Sequence, residues 1–492
     1  MVLRVGFSQT GDSAGYDLGT QDDFSMPAGE FTVNTLGAVV VGTGKNQSVR
    51  VLGDIYGRLQ GIEMGNEFTG DGFYSVHVGK TGSVQGQFGA ITLNGSSNTL
   101  TNFGEISTDS DAAISLVSGL AGIGTTIHNH GTISSPVVAI VSYGIGSLNL
   151  NNSGLIQGSF NSVVGAAGDD RINNRGEIDG AIFLYNGQDW LINRGMIDGA
   201  VDTGAGADVV QNIGGTITGE IDLGADSDTF IAGASVETVD GGTNPSDAFF
   251  GDTLDFSKSS GVKIALDESI VATGWARDDS YSGFENLIGA RKGNDLLIGD
   301  DGGNSLQGLG GNDVLRGLAG ADSLLGAAGN DKLDGGDDAD TLDGGAGNDS
   351  LRGGAGNDDL SGGTGNDIVS GGAGSDVVRG GAGADTFAFL LLDIAPLAET
   401  TGDVIAEFSS AEGDRIDLSA IDANRLVAKN QAFTFIGSTA FSKVAGELRY
   451  EVVGPNDIYL SGDTNGDGKA DFVIDLSGPS NVASLVANDF VL

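Results

Sequence analysis

Ten aspartates keep a nine-residue beat: Asp295, Asp313, Asp322, Asp331, Asp340, Asp349, Asp358, Asp367, Asp376 and Asp385, with Asn304 on the one missed beat. If two nonapeptides close one flattened coil, aspartates two beats apart stack along one edge, one strand spacing apart (about 4.8 Å). Carboxylates that close repel unless a cation lies between them. A hard divalent cation with oxygen ligands fits, and calcium tolerates irregular cages of carboxylates and main-chain carbonyls. Residues 290–388 hold seventeen Asp and no Glu. A solvated acidic face would accept either acid, whereas a short carboxylate kept beside its own turn is a geometric demand.

The elements that position these aspartates are short. Residues 290–388 are eleven nonapeptides without a slip, as in Gly344-Gly345-Ala346-Gly347-Asn348-Asp349-Ser350-Leu351-Arg352. Glycine supplies the positive φ that a tight turn needs. The eighth position is always apolar, from Leu297 to Phe387, which suits a three-residue strand burying one side chain. Asp338 replaces the fourth-position glycine of its copy, and Leu309, Leu318 and Ala327 stand at the second position.

This pattern resembles the RTX (hemolysin-type) family of secreted calcium-binding proteins, whose nonapeptides form a parallel β-roll. The resemblance implies that the ten sixth-position aspartates bind Ca²⁺ and that carbonyls of the glycine turns complete each cage. It also implies weaker sites in the N-terminal half of the array, where Leu309, Leu318, Ala327 and Asp338 depart from glycine.

Beyond 388 aromatics return. Asp403–Leu418, Gln431–Phe435 and Gly446–Tyr450 resemble the C-terminal domain of serralysin-type secreted proteins. Within it, Asp463, Asn465, Asp467 and Asp471 place oxygens at alternate positions around Gly466-Asp467-Gly468, like the first half of an EF-hand loop. Ile474 stands where that loop carries its bidentate Glu, so Asp471 is the expected last ligand. The ending Asp489-Phe490-Val491-Leu492 resembles that of type I secretion substrates.

Composition agrees. Formal charge is 23 − 67 = −44, which disfavours nucleic acid and anionic membranes and favours divalent cations. There is no cysteine, so a secreted chain must draw stability from elsewhere, and metal is the obvious source. No apolar run is long enough for a membrane helix. Met1–Tyr16 lacks the apolar core of a Sec signal, so the expected route is type I secretion to an extracellular or cell-surface location in bacteria.

Residues 36–235 carry a looser repeat, Asn-x-Gly-x-Ile, at Asn102, Asn129, Asn152, Asn174 and Asn193, with a related copy from Asn212. Coils of roughly twenty residues read as a parallel β-helix, with the Asn stacked inside to satisfy turn backbone. Two coils put Arg175, Glu177 and Asp179 over Arg194, Met196 and Asp198. That row reads as a solvated face, with a glycan groove as the sharper alternative. Turns ending at Asp189, Asp208 and Asp226 resemble the nonapeptide turns and are further candidate calcium sites.

The expected fold is therefore all-β: a cap over 1–35, a parallel β-helix over 36–235, a connecting β segment over 236–289, the RTX β-roll over 290–388 and a serralysin-like C-terminal domain over 389–492. No zinc protease is expected, because His77, His128 and His130 form no His-Glu-x-x-His. The expected function is a secreted, calcium-folded protein with an adhesive or structural solenoid and cell-surface or matrix polysaccharide as a candidate partner. The alternative is a carbohydrate-active β-helix of polysaccharide lyase or epimerase type, to which Arg175, Arg194, His77, Tyr56 and Tyr185 would contribute.

Overall fold

The computed structural model describes residues 47–492 except 53, 58–59, 65–73, 96, 119–123, 244–250, 270, 391–401, 428, 455–456 and 478–484, together with the strands 2–3, 16–17, 23–26 and 40–42. Most of the expected cap, and the side chain of Tyr56, lie outside the described residues. No described residue is α-helical. The chain divides into two units, Met1–Leu254 with Asp278–Phe284, and Asp255–Arg277 with Glu285–Leu492.

The first unit is a parallel solenoid. One sheet stacks Thr99–Asn102, Thr125–Asn129, Leu148–Asn152, Arg171–Asn174 and Trp190–Asn193 in register. Alternation turns Leu100, Ile127, Leu150, Ile172 and Leu191 inward, each in line with the next and each buried. A second sheet stacks the isoleucines of the repeat, Ile106, Ile133, Ile156, Ile178 and Ile197. The parallel pairing reaches back to Val2–Leu3 and Asp23–Met26, in a stretch with no sequence period.

The glycine of Asn-x-Gly is a contact requirement. A Cβ on Gly131 would stand 2.1 Å from the Gly104 carbonyl oxygen one coil below. The asparagines form a continuous internal ladder. Nδ2 of Asn102 donates to Oδ1 of Asn129 (2.9 Å), and the chain runs on through Asn152, Asn174 and Asn193 to Asn212. Each link also donates to a carbonyl of the next coil, as Asn152 does to Glu177 at 3.1 Å.

In the second unit alternate nonapeptides build two facing sheets at an eighteen-residue register. Leu315, Leu333, Leu351, Val369 and Phe387 stack on one side; Leu306, Leu324, Leu342, Leu360 and Val378 stack on the other. The register runs past 388: Phe387 pairs with Ile416, and Val378 with Ile405. An antiparallel sheet follows, with Asp457–Asp463 between Glu447–Val452 and Phe472–Ser477.

Candidate metal centre

In each complete turn of the roll, the second and fourth positions are left-handed, as in Gly345 (φ 93°) and Gly347 (φ 142°). Leu309 (71°), Leu318 (91°), Ala327 (75°) and Asp338 (76°) hold the same conformation with a side chain attached. The turn folds the sixth-position aspartate inward, where it is buried.

There the aspartates form two ladders. Along one edge, the backbone N–H of Asp295 donates to Oδ1 of Asp313 (2.8 Å), and so on through Asp331, Asp349, Asp367 and Asp385. Along the other edge the order is Asn304, Asp322, Asp340, Asp358, Asp376. Each carboxylate thus spends one oxygen on the coil before it. The second oxygen, Oδ2, is buried and has no hydrogen-bond partner in Asp313, Asp322, Asp331, Asp340, Asp349, Asp358, Asp367 and Asp385. A buried carboxylate oxygen without a donor is costly.

What surrounds that oxygen suits a hard cation. A Cβ built on Gly353 would stand 2.3 Å from Asp358 Oδ2 and 2.4 Å from the Gly371 carbonyl oxygen of the next coil. On Gly317 the corresponding distances are 2.0 Å to Asp322 Oδ2 and 2.5 Å to the Gly335 oxygen. The first-position glycine is thus a contact requirement: its bare Cα packs where the Asp Oδ2 and a carbonyl oxygen of the next coil lie side by side, a carboxylate and a carbonyl being the donors calcium takes. Among the described residues no three acidic or imidazole groups converge on a point, so a cation here needs main-chain carbonyls as well, which calcium accepts.

Electrostatics point the same way. Burial, opposed by the ladder N–H and reinforced by neighbouring aspartates, pushes Asp313, Asp322 and Asp340 up to about 7. Asp331 and Asp367 rise to about 6 for the same reasons. Ionised, these groups are strained by their own surroundings, and a bound cation removes that strain.

Asp295 differs from those eight. Its Oδ1 accepts from Val262 N–H (2.6 Å) and its Oδ2 from Ala290 N–H (2.7 Å). Asn304 is similarly satisfied, with Oδ1 accepting from Asp300 N–H. Two ladder members lie beyond the nonapeptide array: Asp403 accepts from Asp376 N–H and Asp414 from Asp385 N–H. The signal for them was an Asp-x-Ile phrase at Asp403-Val404-Ile405 and Asp414-Arg415-Ile416. A third row was also hidden. The fifth-position Asn312, Asn330 and Asn348 each offer Oδ1 to the same N–H one coil on, at 2.7–2.9 Å.

The expected EF-hand-like loop closes on itself. Asp463 is buried, with Oδ1 accepting from Gly466 N–H (2.6 Å) and Oδ2 from Gly468 N–H (2.8 Å). Asp471 accepts from Thr464 N–H and Oγ1 and from Asn465 Nδ2. Asp467 accepts from Lys469 N–H. All four residues are brought to one loop, whose own donors engage both oxygens of Asp463 and Asp471 and one oxygen each of Asn465 and Asp467.

In the first unit, His130 Nδ1 lies 2.7 Å from Ser153 Oγ, and its ring stacks on Phe103 at 4.7 Å, with His77 on the far side of Phe103. The expected rows are in register: Glu177 with Met196 and Asp179 with Asp198. The turn expected to end at Asp226 ends instead at Asp228. Asp226 occupies the left-handed fourth position (φ 83°), and the inward carboxylate follows two residues later.

A family profile described as the RTX calcium-binding nonapeptide repeat (4 copies) matches residues 290–324, 317–351 and 352–387. Residues 290–387 are RTX calcium-binding repeats. No curated protein matches the chain. Among solved structures, those similar to this chain include the AlgE6R2 subunit of the Azotobacter vinelandii mannuronan C5-epimerase, at 27% identity over 32% of this chain and 89% of that one, with a TM-score of 0.25. The AlgE6R3 subunit of the same enzyme is 32% identical over 33% of this chain and 78% of that one, with a TM-score of 0.19.

Proposed function

We propose that this is a secreted calcium-binding protein whose RTX roll folds on calcium outside the cell and whose first unit serves as an adhesive or structural surface. The observation that carries it is the row of buried aspartate Oδ2 atoms with no partner. Asp313 to Asp385, with carbonyls such as those of Gly335 and Gly371, would hold the ions. Calcium bound there supplies the positive charge that the buried carboxylates lack.

Magnitudes make a switch. With an extracellular-type dissociation constant near 10⁻⁴ M, millimolar calcium contributes about 1.4 kcal/mol per site. Eight to ten such sites sum to order 10 kcal/mol, comparable to a whole domain's stability. At the trace calcium of a cell interior that contribution vanishes and carboxylate burial remains. The chain is then exportable unfolded, which suits type I secretion.

For the first unit, a cationic strip supports a polysaccharide partner. Arg171 lies in register with the exposed Trp190, and Arg175 is followed one coil on by Arg194. Among the described residues none of these arginines forms an ion pair. An acidic glycan matches such a strip better than a neutral one. The carbohydrate-active enzyme reading uses the same strip, and turnover of a uronate polymer separates it from adhesion.

The test is hydrogen exchange on the full chain in chelator and in millimolar calcium. Protection of 290–388 should appear only with calcium. Full protection in chelator would sink the switch. An acidic-glycan binding assay on the calcium-loaded chain, with Arg175→Ala/Arg194→Ala as the comparison, tests the surface.

A further inference from the structure

The RTX turn is not confined to the RTX array. On one edge of the first unit, Tyr185–Asp189, Gly204–Asp208 and Gly224–Asp228 repeat its geometry. Their second and fourth positions are left-handed: Tyr185 (73°) and Gly187 (139°), Gly204 (99°) and Gly206 (126°), Gly224 (98°) and Asp226 (83°). The fourth-position N–H donates to the third-position carbonyl of the next coil, Gly187 to Ala205 and Gly206 to Ala225, both at 3.0 Å. Gly347 makes the same bond to Thr364 at 2.8 Å in the array.

The carboxylates follow suit. Asp170 N–H donates to Asp189 Oδ1 (2.6 Å), Asp189 N–H to Asp208 Oδ1, and Asp208 N–H to Asp228 Oδ1, both at 2.7 Å. Relative exposure is 0% for Asp189 and 1% for Asp208 and Asp228. In all three, Oδ2 has no hydrogen-bond partner. Thr203 lies beside Asp208, but its hydroxyl proton goes to the Leu223 carbonyl at 2.7 Å. Burial pushes Asp189 and Asp228 up to about 8 and Asp208 to about 7. The orphaned oxygen of the calcium-binding array thus recurs where no calcium repeat is matched.

We propose that this edge of the first unit is a second row of calcium sites, built on Asp189, Asp208 and Asp228 and weaker than the row in the RTX array. The weakness follows from the first position. Leu184, Thr203 and Leu223 stand where the array has glycine, and all three are buried. In the array a Cβ at that position would press on the carboxylate and on the next coil's carbonyl, and Thr203 occupies the Leu223 carbonyl. The row borrows its chemistry from the calcium reading of the array, so the test treats the two separately.

Calcium bound per full-length chain at saturation is counted by equilibrium dialysis for the wild type, for Asp189→Asn/Asp208→Asn/Asp228→Asn, and for Asp349→Asn/Asp367→Asn as the array control. Asparagine keeps the Oδ1 acceptor of each ladder bond and removes the charge. The first variant should lose about two ions, one for each gap between adjacent turns, and should keep the array's calcium-induced folding. An unchanged count means the orphaned oxygens carry protons instead, and the proposal fails. An undiminished array control would count against the array reading alone. If the triple variant does not fold, Trp275→Phe leaves Trp190, next to Asp189, as the sole tryptophan. Terbium emission excited through Trp190 and displaced by calcium is then expected, and its absence overturns the proposal.

Discussion

Asn212 Nδ2 donates to Glu237 Oε1 at 2.7 Å, so the amide ladder that begins at Asn102 ends on a carboxylate. A ladder of amides passes one donor along each step and needs a final acceptor. Glu237 supplies it, with Ser235 Oγ adding a second bond at 3.0 Å. Its other oxygen, Oε2, is buried without a partner.

That end of the ladder is pH-sensitive. Burial, partly offset by Asn212 and Ser235 and reinforced by Asp279, pushes Glu237 from 4.5 up to about 7. The folded state holds the proton more tightly than the unfolded chain does. The contribution is therefore complete below about 4.5 and is lost as pH rises through about 7. Glu237→Gln should flatten the melting temperature against pH in that window, at fixed calcium, and should be the more stable form at pH above 7. A parallel profile for the two proteins would contradict this.

The middle of the ladder should be its most sensitive point. Asn152 accepts from Asn129 Nδ2 and donates to Asn174 Oδ1 and the Glu177 carbonyl. Asn152→Ala strands several buried groups at once, for an expected loss of about 3 kcal/mol in urea unfolding. Asn152→Asp restores the acceptor but not the donor, and should remain destabilised.

In the array, Asp349→Asn keeps the acceptor for Asp331 N–H and removes one buried charge. The calcium midpoint for folding should rise, with a loss of about 1 kcal/mol at millimolar calcium. In chelator the variant should be no less stable than the wild type, because burial, and after it Asp343, disfavours the charge that is removed. Equal midpoints would remove Asp349 from the ion-binding set.

Asp338 is exposed and sits at φ 76°, where ten sister copies have glycine. Asp338→Gly relieves left-handed strain and should raise stability by about 1 kcal/mol at any calcium level. A calorimetric melting temperature that falls would show that the Asp338 carboxylate matters more than its backbone.

Much of this was legible because a solenoid writes its register into the chain. Leu315 over Leu333 and Asn129 over Asn152 follow from period alone. Legibility ended where the period changed but the ladder did not. Asp403 and Asp414 stand 27 and 29 residues after Asp376 and Asp385, since longer excursions fill those coils. The turn at Asp228 was misplaced by two residues because Asp226 uses a conformation that aspartate tolerates and glycine usually fills. Asn312 and Asn330 carry no apolar signal, and their hydrogen bonds appear only once coils are stacked.

The rows have finished ends. Asp295 at one end of its ladder and Asp414 at the other both have Oδ1 and Oδ2 filled by backbone N–H groups. Asp170 is filled in the same way, by Leu148 and Ala166. These residues act as bookends. They set how many orphaned oxygens a row contains, independent of how long the solenoid around it is. Inserting a full coil of two nonapeptides between bookends lengthens each row by a rung, whereas adding one outside them leaves its capacity unchanged.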